Sequence, residues 1–315
     1  MKSGSKRSKW IILFLAMRPN HLAASAAPIV VGSCLGYATV GSFNVPLFVL
    51  ALLSIMLLQA GANMANDYFD HISKNDWVNE NPTPFSGGSR FIQEGLLSPK
   101  AMLFASLAAL SFSCCFGIVI LVLTQSLFIL ALGLLGLLGG FFYTAGPIKL
   151  SYRTVGEFVI FLLVGLLPVY GAYFLQTGKI DAVALVPGLL VGILIFLVIL
   201  VNEFPDAAAD AAVNKKTLIV VFGVPASAWI YRIALIASFV IAIASAMLYR
   251  PMFYAGLLYL LTLPAAILVL KAVNTEDLAK PGQFKASQIT VLLHTIGSLT
   301  LAIGFIISGL STTSG

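Results

Sequence analysis

The chain is poor in charge. Charged residues make up 10% of its 315 residues, against 59% hydrophobic, whereas an ordinary soluble domain carries roughly 25% charged residues. That composition excludes a water-facing globule. A mean hydropathy of +1.00 instead points to an all-α integral membrane protein, read as one domain of packed helices over 1–315. Cysteine is scarce too. Cys34, Cys114 and Cys115 lie in apolar runs, with neither zinc spacing nor a disulfide framework, so inert buried thiols are expected. The histidines, His21, His71 and His294, are scattered. There is no HExxH pair, no GxSxG elbow and no GxxxxGK[ST] loop, which sets aside zinc-hydrolase, serine-hydrolase and P-loop chemistry. The net charge of +6 forms no basic face interleaved with aromatics, so nucleic acid is not an expected partner.

What the chain has in abundance is long apolar runs. Nine of them stand out, at approximately 22–40, 46–66, 101–123, 126–143, 156–176, 183–202, 226–248, 252–271 and 289–309, each about the length that crosses a bilayer. The basic start, with Lys2, Lys6, Arg7 and Lys9, is followed by a stretch that Arg18, Asn20 and His21 interrupt. A retained first helix, beginning near Trp10 in its longer form, is therefore expected in place of a cleaved signal. Alternate loops differ in charge. One side gathers Lys74, Arg90, Lys100, Lys149, Arg153, Lys215, Lys216, Lys280 and Lys285; the other holds only Lys179 and Arg250. The positive-inside rule then puts the N-terminus and the long loops in the cytoplasm and the C-terminus outside.

Acids show the same bias, with only Asp181 on the outer side. They form two clusters. The first is Asn63, Asn66, Asp67 and Asp70 at the end of the second run, followed by Asp76; the spacing i, i+3, i+4, i+7 puts the first four on one helical face. The second, Asn202, Asp206 and Asp210 with Glu203 alongside, ends the sixth run at spacing i, i+4, i+8. Carboxylates stacked on one face beside an apolar slab repel one another. Magnesium, a hard cation that takes one or two carboxylates and completes its shell with water and phosphate oxygens, relieves that repulsion. Two facing stripes of this kind suit a diphosphate bridged by metal ions. The competing reading is that helices simply end in acids at a wet interface.

A diphosphate also needs cations. YTAGPIKLSYRTVGE, from Tyr143 to Glu157, turns at Gly146-Pro147 and places Lys149 and Arg153 on the acidic side, either as phosphate clamps or as markers of orientation. Ser86, Gly87, Gly88 and Ser89 beside Arg90 form either an anion cradle or a surface loop. Lys215 and Lys216 follow Asp210 and suit either phosphate or anionic lipid.

These residues resemble the UbiA superfamily of intramembrane aromatic prenyltransferases, whose signature is an NDxxDxxxD-like motif ending helix two and a DxxxD motif ending helix six of a nine-helix bundle. The matching positions are Asn66-Asp67-Tyr68-Phe69-Asp70 and Asp206 to Asp210. Where the general pattern has a third acid this chain has Lys74; Asp76 fits the variant of the menaquinone branch, which prenylates 1,4-dihydroxy-2-naphthoate. The resemblance implies a nine-helix UbiA-type bundle in a prokaryotic plasma (inner) membrane, with its active site facing the cytoplasm. It implies a polyprenyl diphosphate and an aromatic acceptor as partners, and Mg²⁺ held by Asp67, Asp70, Asp76, Asp206 and Asp210. Lys149, Arg153 and Tyr143 are then expected at the departing pyrophosphate, and Asn63, Arg18, Asn20, Arg90 and Asn202 at the substrates. Other naphthoates, 4-hydroxybenzoate, homogentisate and haem-type acceptors stand as alternatives, as does, from a different class, a cation-coupled secondary transporter.

Overall fold

The computed structural model describes residues 8–274, 278, 280 and 282–313. Lys2, Lys6 and Arg7 of the basic start lie outside the described residues. Among the described residues the main elements are helices: α1 (Lys9–Ala16), α2 (Pro19–Val40), α3 (Val45–Ile72), α4 (Asn75–Val78), α5 (Pro99–Thr124), α6 (Leu127–Phe142), α7 (Gly156–Thr177), α8 (Ala182–Glu203), α9 (Ala207–Ala212), α10 (Leu218–Leu248), α11 (Arg250–Ala272) and α12 (Lys285–Thr313). Starts follow local chemistry. Pro occupies the first turn of α2, α3 and α5, and Asn44, Ser98 and Ser126 cap α3, α5 and α6 through their side-chain oxygens.

Among the described residues eight helices, not the expected nine, are long and apolar enough to cross a membrane. The run expected at 126–143 forms α6, a helix of 16 residues. At about 1.5 Å per residue it falls short of a hydrocarbon slab of about 30 Å. The first run, expected at 22–40, is α2; its longer form from Trp10 is not one helix, because the chain breaks at Arg18, whose φ of 54° is left-handed, so α1 and α2 are separate.

α8 sits at the centre, packed against α7, α10 and α12, while α2 packs on α7 and α12, and α3 on α5. Close backbone approach makes this possible. A Cβ on Gly165 would stand 2.4 Å from the Cα of Gly192, so α7 and α8 meet backbone to backbone. The same part of α7, Phe161–Leu166, winds as a π-helix. Leu190, Leu194, Leu197 and Leu200 of α8 are fully buried, whereas Phe104, Leu127 and Met247 are largely exposed, as lipid-facing side chains are. Cys115 is exposed and not buried as expected; Cys34 is buried. Polar groups concentrate at one end of the bundle, where α3, α8 and α12 meet the segments 73–98, 143–155 and 204–217.

Candidate functional site

α3 continues unbroken through both carboxylates of the first cluster, and Asn63, Asp67 and Asp70 are all buried. The second cluster is built otherwise. α8 stops at Glu203, a turn carries Phe204–Asp206, and α9 bears Asp210, so the expected continuous stripe is interrupted. Both clusters open on one cavity of about 230 Å³. Of the residues expected at the site, Arg18, Asn20, Asn63, Asp70, Asp76, Tyr143, Asn202, Asp206 and Asp210 line it. Asp67 stands just behind, paired with Arg18 and accepting the Ser89 N–H at 3.2 Å.

The segment after α3 ties the clusters together. Asn75 Nδ2 donates to Asp210 Oδ1 and Asn79 Nδ2 to Asp206 Oδ1, both at 2.8 Å. The Gly87 N–H donates to Asp206 Oδ2 at 3.1 Å. Gly88, at φ +75°, lets the backbone pass within reach of both Asp76 and Asp67; a Cβ there would stand 2.8 Å from Asp76 Oδ2 and 3.2 Å from Asp67 Oδ1. In the glycine segment read as either an anion cradle or a surface loop, the Gly87 and Ser89 N–H groups thus point at the chain's own carboxylates, Asp206 and Asp67.

The cations are placed differently from the expectation. Lys215 lines the cavity, with its Nζ 3.2 Å from Asp210 Oδ1. Lys149 and Arg153 are not among the lining residues: Lys149 Nζ lies 4.9 Å from the centre of the Tyr152 ring, and Arg153 Nε donates to the Ile148 carbonyl at 2.8 Å. Arg90 donates to the backbone carbonyl of Asp76, so it holds the loop. Asn63 accepts from Gln59 and donates to the Met17 carbonyl at 3.0 Å, pinning the break between α1 and α2. Asn75, Asn79 and Glu157 were not singled out from the sequence. An amide in a loop carries no periodic signal, and only the fold shows which acid it meets.

Burial, and then the charges of Asp70 and Asp67, push the Asp76 carboxyl up to about 8, against the pull of Arg18 and Arg90. Burial and Asp210 push Asp206 up to about 6. Burial disfavours the charge of Lys215, but Asp210 and Asp70 outweigh it and hold the ammonium well above its usual range. The donor set fits magnesium. Asp67 Oδ2, Asp70 Oδ1, Asp210 Oδ2 and Asn202 Oδ1 are buried oxygens without hydrogen-bond partners, hard ligands of the type that ion takes. Among the described residues no three acidic, histidine or cysteine side chains converge on a single point. This agrees with an ion that relies on water and phosphate for the rest of its shell.

Beyond the polar cavity lies a second, apolar one of about 360 Å³ between α3, α5, α6 and α7. The two share Ile55, Leu58, Gly136 and Leu163 as walls.

The sequence profile of the UbiA prenyltransferase family matches residues 25–292. A 1,4-dihydroxy-2-naphthoate octaprenyltransferase of Haemophilus influenzae is 31% identical, over 91% of this chain and 94% of its own length. A 2-carboxy-1,4-naphthoquinone phytyltransferase of Synechocystis is 24% identical, over 96% and 95%. Among solved structures, a UbiA homologue from Archaeoglobus fulgidus bound to GPP and Mg²⁺ superposes with a TM-score of 0.68 at 16% identity, covering 98% of this chain and all of that one. With its profile matched over most of its length, a relative above 30% identity and the shared bundle, the chain belongs to the UbiA prenyltransferase family.

Proposed function

We propose that the protein transfers a polyprenyl group from an allylic polyprenyl diphosphate to an aromatic acceptor with the help of Mg²⁺, and that the acceptor is 1,4-dihydroxy-2-naphthoate, on the route to menaquinone. One observation carries the reading: two acidic clusters, joined through Asn75 and Asn79, share a cavity that has walls in common with an apolar chamber. A diphosphate belongs at the first and a hydrocarbon tail in the second. Support for the acceptor comes from the naphthoate-acting relatives in Haemophilus influenzae and Synechocystis. Support for the metal comes from the Archaeoglobus homologue with its bound GPP and Mg²⁺.

Asp67, Asp70, Asp76, Asp206 and Asp210 hold the metal in this reading, and Mg²⁺ when bound supplies Lewis-acid neutralisation of the diphosphate charge. The chain's own groups do the rest. Arg18 and Lys215 present cationic N–H donors at the cavity and stabilise the charge that grows on the departing pyrophosphate. They take the place first assigned to Lys149 and Arg153, which are not among the cavity's lining residues. Tyr143, Asn20 and Asn202 face the acceptor, while Asn63 and Arg90 hold the two loops in register. Apolar walls from α3, α6, α7 and α8 keep water from the allylic cation. In this reading the acids lie at the cytoplasmic face of a prokaryotic plasma membrane; the excess of Lys and Arg on the loops around them supports the cytoplasmic orientation.

The test uses purified protein in lipid with Mg²⁺, a labelled long-chain polyprenyl diphosphate and each acceptor offered separately. Prenylated product and pyrophosphate with dihydroxynaphthoate alone is the expected result. Transfer to another acceptor corrects the pathway and keeps the chemistry; no transfer to any acceptor, from folded and metal-binding protein, overturns the reading in favour of a carrier.

A further inference from the structure

Between the polar cavity and the apolar chamber stands a partition made of side-chain ends over bare backbone. On α6 the lining passes from Gly140 in the first cavity, through Gly136 in both, to Gly133 in the second. On α7 it passes in the same way from Ile160 through Leu163 to Leu167. A Cβ on Gly139 would stand 2.1 Å from Leu163 Cδ1, and one on Gly136 3.2 Å from Leu58 Cδ2. Leu163 and Leu58 therefore fill space that the glycines of α6 leave open. Leu163 also lies inside the π-helical turn Phe161–Leu166, just ahead of Pro168, which offers no N–H to that turn. Irregular turns of this kind recur at functional sites.

We propose that Leu163 is a gate for the isoprenoid tail, and that the chamber behind it sets a minimum chain length for the diphosphate and no maximum. This rests on the prenyl-transfer reading above and deepens it by naming what selects the donor. Lengths decide the matter. At about 1.5 Å per residue, Leu58 lies about 13 Å from Asp67 along α3, and Ala51, in the chamber wall, about 24 Å. An extended chain advances about 1.2 Å per bond, so a two-unit (C10) tail spans about 10 Å and ends short of the partition. A four-unit (C20) tail spans about 19 Å and ends inside the chamber. An eight-unit (C40) tail, at about 38 Å, outruns it. However, Ile118 and Leu134 of the chamber wall are 58% and 49% exposed, so the surplus passes sideways into lipid. Long tails enter when Leu163 swings off Gly139, and burial of the units beyond it favours them over short ones.

Transfer from C10, C20 and C40 diphosphates by the full chain in lipid vesicles tests this. It is read as ratios of kcat/KM within each variant, so that a partial folding defect cancels. Wild type should use C20 and C40 about equally, and both about tenfold to a hundredfold better than C10. Gly133→Phe, at a position where a Cβ meets nothing within 4 Å, fills the chamber behind the gate and should bring C20 and C40 down towards C10. Leu163→Ala should move the ratio the other way, because the tail no longer waits for a side chain to swing aside. A C20-to-C10 ratio that Gly133→Phe leaves at its wild-type value overturns the path through the chamber. One that Leu163→Ala leaves unchanged or lowers overturns the gate, and C40 used far less well than C20 overturns the open end. Wild type that transfers no chain of any length overturns the prenyl-transfer reading instead; competition of the same three diphosphates for binding then still reads the ratios.

Discussion

The two acidic clusters present the same chemistry from different supports. In the first, an unbroken α3 fixes Asp67 and Asp70 at neighbouring turns, and Arg18 pairs with Asp67 from the break between α1 and α2. In the second, Asp206 and Asp210 lie beyond the end of α8, on a turn and the short helix α9. Their positions are set by amides that come from the first cluster's side, Asn75 and Asn79, and by Lys215. The first cluster is thus held by secondary structure and the second by side chains. A helix tolerates the loss of one partner; a turn pinned by hydrogen bonds does not.

The largest effect should come from the acids themselves, and it should be the same in both halves. Asp67→Asn and Asp206→Asn are each expected to cut prenyl transfer by about a hundredfold to a thousandfold or more, with folded protein in detergent. Full activity in either would break the idea that the clusters act together. Next comes the cation of the second cluster. Lys215→Met leaves Asp210 buried and unpaired, a loss of about 3–5 kcal/mol for a buried pair, so both melting temperature and turnover should fall. A variant as stable as wild type would show that the turn is held without this pair.

Asn79→Ala sharpens the contrast. Removing an amide behind a metal-binding carboxylate typically costs about tenfold to a hundredfold in metal affinity, and here the change lies in the first cluster's loop while the loss falls on Asp206. Titration of Mg²⁺ against turnover checks this; an unchanged midpoint would mean that the turn positions Asp206 unaided.

The smallest expected effect is that of pH on protein kept in EDTA. The folded carboxyls of Asp206 and Asp76 sit at about 6 and about 8, above the 3.8 of the free side chain. Between those values the folded state holds protons that the unfolded state has released. Stability is therefore present below about pH 4 and lost as pH rises through 6 and then 8. Melts at rising pH should shift down in EDTA and less so with Mg²⁺. A melt that rises with pH would contradict the crowding of acids at this end.

Much of this was legible in the sequence because it is periodic. Apolar runs, the i, i+3, i+4, i+7 face on α3 and the asymmetry of Lys and Arg all follow from helical geometry and membrane thickness. The count of nine crossings failed at α6, where glycines and leucines make an apolar run of the right character but only 16 residues of helix. The stripe through Asn202, Asp206 and Asp210 failed because spacing alone does not reveal that a helix stops at Glu203. Lys149 and Arg153 were favoured over Lys215 because their surrounding sequence was more distinctive, yet an ion pair depends on where loops return, and no periodicity encodes that. Asn75 and Asn79 could have been suspected only as amides in an otherwise acidic loop.

The contact of Gly165 with Gly192 sets a pivot for the second cluster. Ten residues at about 1.5 Å each put Asn202 about 15 Å along α8 from that point. A methyl group at either glycine has no room, so the helix would have to swing, and a swing of about 10° would carry Asn202 roughly 2.6 Å at that radius. Misplacements of about 1 Å are enough to cost an enzyme about a hundredfold. The lever arm of α8 therefore makes a point deep in the bundle, far from any charge, one of the most sensitive in the chain: harmless in composition, and decisive for alignment.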